Sequence, residues 1–523
     1  MKIYFLVLFL LQIVMPLFAQ DFDEDKKGYI PLAKGLEYDI GMQSTFSEGR
    51  TPLWLNANKY GLSSLDNTNG YLRAGVFRPL RTDSVRRWGM GYGLDVAVPY
   101  NFTSDFVVQQ AFVEGRWLHG VITVGSKEYP MELKNNLLSS GSQTLGINAR
   151  PIPQVRIALP EYWTLPFAKG WLHLKGHIAY GRMTDDRWQH EFTNRKNKYA
   201  DDVLFHSKAG YLKIGNEDVF CPFSLELGLE MAATFGGTAY RPDGKGGMTV
   251  LKGDTGLGAY WNAFVPGGYD TGETTYQNVE GNHVGSWLIR MNWDTDMWRF
   301  SVYADKYFED HSAMFQLDYD GYGQGEEWDE KKKSRYVLYD FKDIMLGMEL
   351  NIKYDRWIND VVFEYIYSKY QSGPIYHDHT NTISDHIGGR DNFYNHSIYT
   401  GWQHWGQVIG NPLYRSPIYN EDGTIMVKDN RFMAFHLGID GRPFPRFMYR
   451  VLASWQEGLG TYDEPYENKR NNFSLLVEGE YAFCGKLLNG WKVKGGYGMD
   501  LGAILGDNYG FQVTVSKCGL LNF

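Results

Sequence analysis

From residue 36 onward the chain alternates. Trp88, Met90, Tyr92, Leu94, Val96, Val98 and Tyr100 are interleaved with Gly89, Gly91, Gly93, Asp95, Ala97, Pro99 and Asn101. The same period recurs in Phe223–Ala233 and in Ile344–Tyr354. A period of two belongs to a strand whose two faces meet different surroundings. Each run covers roughly 10 residues, enough to cross a bilayer when tilted, whereas strands of soluble domains average about 5–6. The bulky face is apolar and the opposite face carries Gly, Glu, Lys and Asp, which suits a polar lumen better than the outside of a soluble sandwich or propeller. Many runs begin or end in Trp or Tyr, as an interfacial aromatic girdle requires.

The pattern predicts strands at 36–45, 71–78, 88–100, 106–117, 121–127, 154–159, 171–182, 206–215 and 223–235. It continues with 286–293, 298–306, 343–354, 361–370, 431–440, 447–456, 472–483, 491–503 and 509–523. Connections between them are by turns short and long. The expected fold is therefore all-β, a transmembrane outer-membrane β-barrel of about 18 antiparallel strands with long external loops and short periplasmic turns. Asp294-Thr295-Asp296 reads as the tightest of those turns. Closure removes sheet edges, so no backbone is left unpaired in lipid. The last strand is amphipathic and ends on Phe523, as a barrel-assembly signal does.

Composition narrows the class. Among 523 residues there are 59 Gly, 16 Trp, 37 Tyr and 30 Phe, with 43% hydrophobic and 22% charged positions, so disorder and coiled coil are excluded. A net charge of −9 argues against nucleic acid as a partner. Three scattered cysteines, Cys221, Cys484 and Cys518, make neither a disulfide framework nor a structural zinc site. Met1-Lys2, the apolar run to Phe18 and Ala19 read as a signal peptide over 1–19. The barrel domain is then 20–523, in the outer membrane of a Gram-negative bacterium, with its loops facing the exterior.

Candidate chemistry concentrates in the presumed loop 371–430, which holds five of the 13 histidines between His377 and His404. His377, Asp378 and His379 with His396 or His404 match no recognised zinc spacing. No G-x-S-x-G nucleophile signature accompanies a His/Asp dyad, so no metal, no cofactor and no enzymatic activity are expected. Glycan recognition fits better, because sugars present flat C–H faces ringed by hydroxyls. Tyr376, Tyr394, Trp402 and Trp405 can supply an aromatic platform; Arg390, Asp391, Asn392, Asn395, Gln403 and His404 can supply hydrogen bonds. Arg150 and Arg156 can meet anionic sugars near the mouth. The bland alternative is that these groups plug the lumen and satisfy one another. Lys175, Arg290, Arg299, Glu226, Glu230, Glu349 and Glu364 are expected to face the lumen and pair there.

Thr51-Pro52-Leu53-Trp54-Leu55, Gly146 through Arg156, Tyr370 through His379, Asp391 through Gly406 and Gly460-Thr461-Tyr462 resemble the capsule assembly Wzi family of Gram-negative outer-membrane proteins, in the branch common among Bacteroidetes. These segments spread over nearly the whole mature chain. The resemblance implies a lectin-like barrel that binds and anchors capsular polysaccharide or exopolysaccharide, with no catalysis. Together the readings give a monomer in contact with outer-membrane lipid and polysaccharide. The alternative is a channel or porin-like barrel for oligosaccharides.

Overall fold

A computed structural model describes residues 32–216, 219, 221–265, 281–309, 314, 326, 330, 342–376 and 387–521. The expected signal peptide, His377, Asp378, His379, His386 and Phe523 lie outside these residues, as does the side chain of Tyr376.

A single 18-stranded antiparallel sheet closes on itself. Its strands are β1 (Leu36–Glu48), β2 (Thr68–Arg78), β3 (Trp88–Tyr100), β4 (Val107–Trp117), β5 (Gly120–Ser126) and β6 (Gln154–Thr164). Then come β7 (Leu172–Arg182), β8 (Leu204–Ile214), β9 (Phe223–Phe235), β10 (Asn282–Asp294), β11 (Trp298–Glu309) and β12 (Ile344–Ile352). The last six are β13 (Asp360–Tyr367), β14 (Phe432–Phe444), β15 (Phe447–Gly460), β16 (Pro465–Ala482), β17 (Trp491–Gly502) and β18 (Asn508–Leu521). Met42 of β1 pairs with Leu72 of β2 on one side and with Val515 of β18 on the other, so the sheet has no free edge. Every strand expected from the alternation is present.

The strands run furthest beyond their expected limits where the period breaks. β6 continues through a register shift between Leu159 and Trp163, at Pro160, where the proline and bulge hide the alternation. β15 and β16 extend as a hairpin toward Gly460 and Pro465. Glu457, Lys469, Arg470 and Asn471 occupy this stretch, so no apolar face marks it as strand.

The register places the two faces as physical chemistry requires. Leu72, Leu94, Val98, Ile157, Met348 and Phe511 are exposed on the outside, and Asp95, Gln110, Glu230, Ser286, Glu364 and Ser474 are buried inside. Trp88 and Trp117 stack 5.8 Å apart at one end of the lipid-facing band, and Tyr100 and Phe106 are exposed at the other. No helix among the described residues is long and apolar enough to cross a membrane; the strands do so.

Turns at one rim are short throughout. Leu118-His119 and Pro445-Arg446 are tighter than the turn after Asp294. At the opposite rim the strand ends are joined by longer connections, 49–67, 127–153, 183–203, 236–281, 310–343 and 368–431. Three of these send segments inward. The segment 131–145 leaves β5, yet its hydrogen bonds reach strands on the other side of the ring. Lys134 meets Asp305 of β11 at 2.5 Å, Asn135 meets Glu349 of β12 at 3.2 Å, and Leu138 O accepts from His436 of β14 at 2.8 Å. A chain that starts between β5 and β6 makes these contacts only by crossing the lumen. The short helix α1 (Leu53–Asn56) also inserts, its first N–H bonded to Asp500 of β17 at 3.0 Å and Trp54 buried.

The inward-facing charges are satisfied largely by this filling. Arg290 pairs with Glu349 at 2.8 Å, Lys175 with Glu132, and Arg299 with Asp294 at 2.5 Å near a short turn. The other carboxylates depart from the expected ion pairing. Glu364 accepts from Ser139 Oγ and Tyr303 OH, each at 2.5 Å, and from Ser140 N–H at 2.8 Å. Glu230 takes Tyr211 OH at 2.7 Å and Glu226 takes Tyr162 OH at 2.6 Å. These donors are neutral: Tyr303, Tyr211 and Tyr162 come from other strands and Ser139 and Ser140 from the inserted segment, so no single strand's sequence reveals the arrangement.

Candidate functional site

The stretch 391–430 packs onto the segment 131–150 and completes the filling. Its hub is a hairpin in which Gln403-His404 pair with Gln407-Val408 across a two-residue turn. Trp405 (φ 55°) and Gly406 (φ 78°) both adopt left-handed backbone, the requirement of a tight type I′ turn. A Cβ on Gly406 would also lie 2.6 Å from the Trp188 ring.

Most of the side chains expected to bind sugar are instead consumed by this packing. Trp402 is fully buried, stacks on Phe205 at 6.0 Å and donates its Nε1–H to Thr144 O at 2.9 Å. Tyr394 is buried too; its hydroxyl donates to Gln143 O and accepts the Asn411 N–H at 3.0 Å. Neither ring offers a free face, so the expected platform is closed at these two positions. Asn395 clamps Val427, donating to its carbonyl at 2.9 Å and accepting its N–H at 2.8 Å. Asn392 Oδ1 accepts from Asn395 at 2.8 Å and Asn430 at 2.6 Å. The Asp391 N–H donates to Gln371 O at 2.8 Å. Gln403 braces the hairpin, donating to Thr400 Oγ1 at 3.0 Å and accepting the Gly406 N–H at 2.8 Å.

His404 ties three segments together. Its Nδ1 lies 2.8 Å from Arg150 O, and its Nε2 accepts the Thr184 N–H at 3.2 Å, which places the ring proton on Nδ1. Burial holds its pKa down to about 4. Arg150 stacks over Trp405 with its guanidinium carbon 4.1 Å from the ring centroid and donates to Ser104 and Thr103 hydroxyls at 3.0 Å. Desolvation, with no carboxylate beside it among the described residues, lowers its pKa to about 10. Arg156 lies apart, inside β6, 3.9 Å above the ring centroid of Tyr129. Arg390 is exposed at the edge of the loop. It shares Tyr462 with Arg431, their guanidinium carbons 4.6 and 3.6 Å from the ring centroid.

A second feature of this rim escapes the sequence reading. An open cleft of about 530 Å³ lies between Gly49-Arg50, the stretch 415–428, Arg470 and the turn 503–508. Arg50 and Arg415 flank Tyr419: each donates to its carbonyl, at 3.0 and 2.9 Å, and each guanidinium carbon is 5.8 Å from its ring centroid. These residues come from points hundreds of positions apart, and no local motif joins them.

Fold and filling together define a class: a transmembrane β-barrel of the outer-membrane type, whose own loops occupy its lumen. The solved structure of Wzi, an outer-membrane protein involved in group 1 capsule assembly in Escherichia coli and described as a carbohydrate-binding β-barrel, is similar to it. That likeness covers 92% of this chain and 83% of the other, with a TM-score of 0.53 and 11% identity. It concerns the fold. OprD (95% and 98% covered, TM-score 0.45, 8% identity) and OccK5 (93% and 98%, 0.45, 8%), both of Pseudomonas aeruginosa, share the barrel outline at scores that bear on nothing further. No protein-family model and no curated protein matches the chain.

Proposed function

We propose that this protein is a monomeric, Gram-negative outer-membrane barrel that holds capsular polysaccharide or exopolysaccharide at the cell surface without covalent chemistry. Its loop-bearing rim faces the exterior, and residues 1–19 are removed on export. The observation that carries this reading is the filled lumen: 131–145 and 391–430 span the interior and satisfy its polar wall. Such a barrel has little to offer a diffusing solute and much to offer a polymer lying across its mouth. There, arginine–tyrosine stacks and an open cleft present planar donors beside aromatic faces. Weak contacts suffice, since a long glycan engages many copies and gains avidity.

The test uses the full mature chain folded in detergent. Affinity electrophoresis in gels containing surface polysaccharide purified from the producing bacterium is expected to retard it, and planar bilayers containing it are expected to stay nearly silent. Unretarded migration together with a steady open conductance would overturn the reading in favour of an oligosaccharide channel. Shortening of the polysaccharide chains on incubation would replace it with an enzyme.

A further inference from the structure

The cleft at the loop-bearing rim is basic in an acidic molecule. Its charged lining comprises Arg50, Arg415, Lys428 and Arg470 against Glu421 and Asp422, four minus two, or +2, whereas the whole chain carries −9. Both acids are already engaged, Glu421 with Arg50 at 2.6 Å and Asp422 with Lys428 at 2.5 Å. Arg415 has neutral acceptors, Asn420 Oδ1 at 2.6 Å and Tyr419 O at 2.9 Å, and its Nε is buried without an acceptor among the described residues. Arg470 lies with its guanidinium carbon 4.0 Å from the Tyr466 centroid and makes no ion pair among them.

One further acid lies near, Asp429, but it is spoken for. Fully buried, it accepts the Gly460 N–H at 3.1 Å and the Gln456 amide at 3.3 Å, and burial raises its pKa to about 7, so it is a weak counter-charge at neutral pH. Arg415, half-buried among neutral hydrogen-bond acceptors, is incompletely compensated, and Arg470 stands exposed at the lip of the cleft; an arriving anion supplies what is missing. A guanidinium offers a planar fork of donors that matches a carboxylate in two-point contact. The cleft's volume lies within the range of sites that seat small organic groups.

We propose that this cleft is the subsite for an acidic sugar residue of the held polysaccharide, the carboxylate of a uronic-acid unit docking against Arg415 and Arg470. The proposal rests on the polysaccharide-holding reading and names the ligand chemistry. Arg50 stands beside as a third cation, held in reserve by the exposed Glu421.

The probes are oligogalacturonate and a neutral dextran of matched length, titrated against the detergent-folded full chain at low and high salt. Wild type is expected to prefer oligogalacturonate by roughly ten- to a hundredfold, the range that one charged hydrogen-bonded contact supplies, and to lose much of that preference at high salt. The double substitution Arg415→Gln, Arg470→Gln is expected to abolish the preference while leaving heat-dependent gel mobility unchanged. Glu421→Gln should tighten oligogalacturonate binding several-fold by releasing Arg50, a gain that damage to the fold would not produce. Equal affinity for the two probes, or a preference that survives the double substitution, sinks the proposal. If native polysaccharide still retards such a protein, the holding function stands and only its acidic preference falls; if no glycan is bound, both fall.

Discussion

His404 accepts a backbone N–H at Nε2, so a proton there would face the Thr184 N–H in a buried site. In the unfolded chain the ring titrates near 6.5, and in the folded protein near 4. Above 6.5 both states are neutral and the site contributes no pH dependence. As pH falls below 6.5 the unfolded chain takes up a proton that the native ring refuses. Stability is therefore lost down to about pH 4, by roughly 3 kcal/mol if the shift is fully expressed. Melting of the detergent-folded barrel should drop more between pH 7 and pH 4.5 for wild type than for His404→Gln; parallel drops would remove His404 as the cause. The neighbouring Trp402 gives a second contrast. Trp402→Ala should cost about 3–5 kcal/mol as a fully buried ring, whereas Arg390→Ala, at an exposed position, should stay within about 0.5 kcal/mol. Both were candidates for sugar contact on residue type alone, and only burial separates them.

At the scale of elements, the segment 131–145 acts as a strut. Leu133 O accepts from Arg290 at 3.1 Å, Leu137 O accepts from Arg450 at 2.8 Å, and Ser139 and Ser140 serve Glu364. Replacing 131–144 by a short Gly/Ser linker should leave the strands paired, because their ladders are made by other residues. It should also turn a quiet barrel into a conducting one in planar bilayers. An unchanged baseline would mean that the rest of the loop closes the pore unaided. The strands themselves were legible because a two-sided environment writes a two-residue period. The strut was not. A loop inside a polar lumen has the same polar, glycine-containing composition as a loop in water, so Asn135 or Ser139 carries no mark of which solvent it meets.

The whole molecule is organised by lipid outside and hydrogen bonds within. Met348, mid-strand in β12 and exposed, marks the outer band. Met348→Arg should cost about 2–4 kcal/mol near the bilayer centre and lower the folded yield in vesicles, while the same change at Val85, exposed in a short turn, should be tolerated. Equal yields would contradict the placement of the lipid band. Sequence alone determined the class of fold, the strand number and which face of each strand is greasy, because solvent on either side of a sheet selects residues locally. Tertiary structure decided that Tyr394 and Trp402 are interior packing, that Glu364 is satisfied by serines from a distant loop, and that Arg50, Arg415 and Arg470 share one cleft. Those outcomes depend on where closure of the ring brings remote segments together, and a pattern with a period of two residues holds no record of contacts hundreds of residues apart.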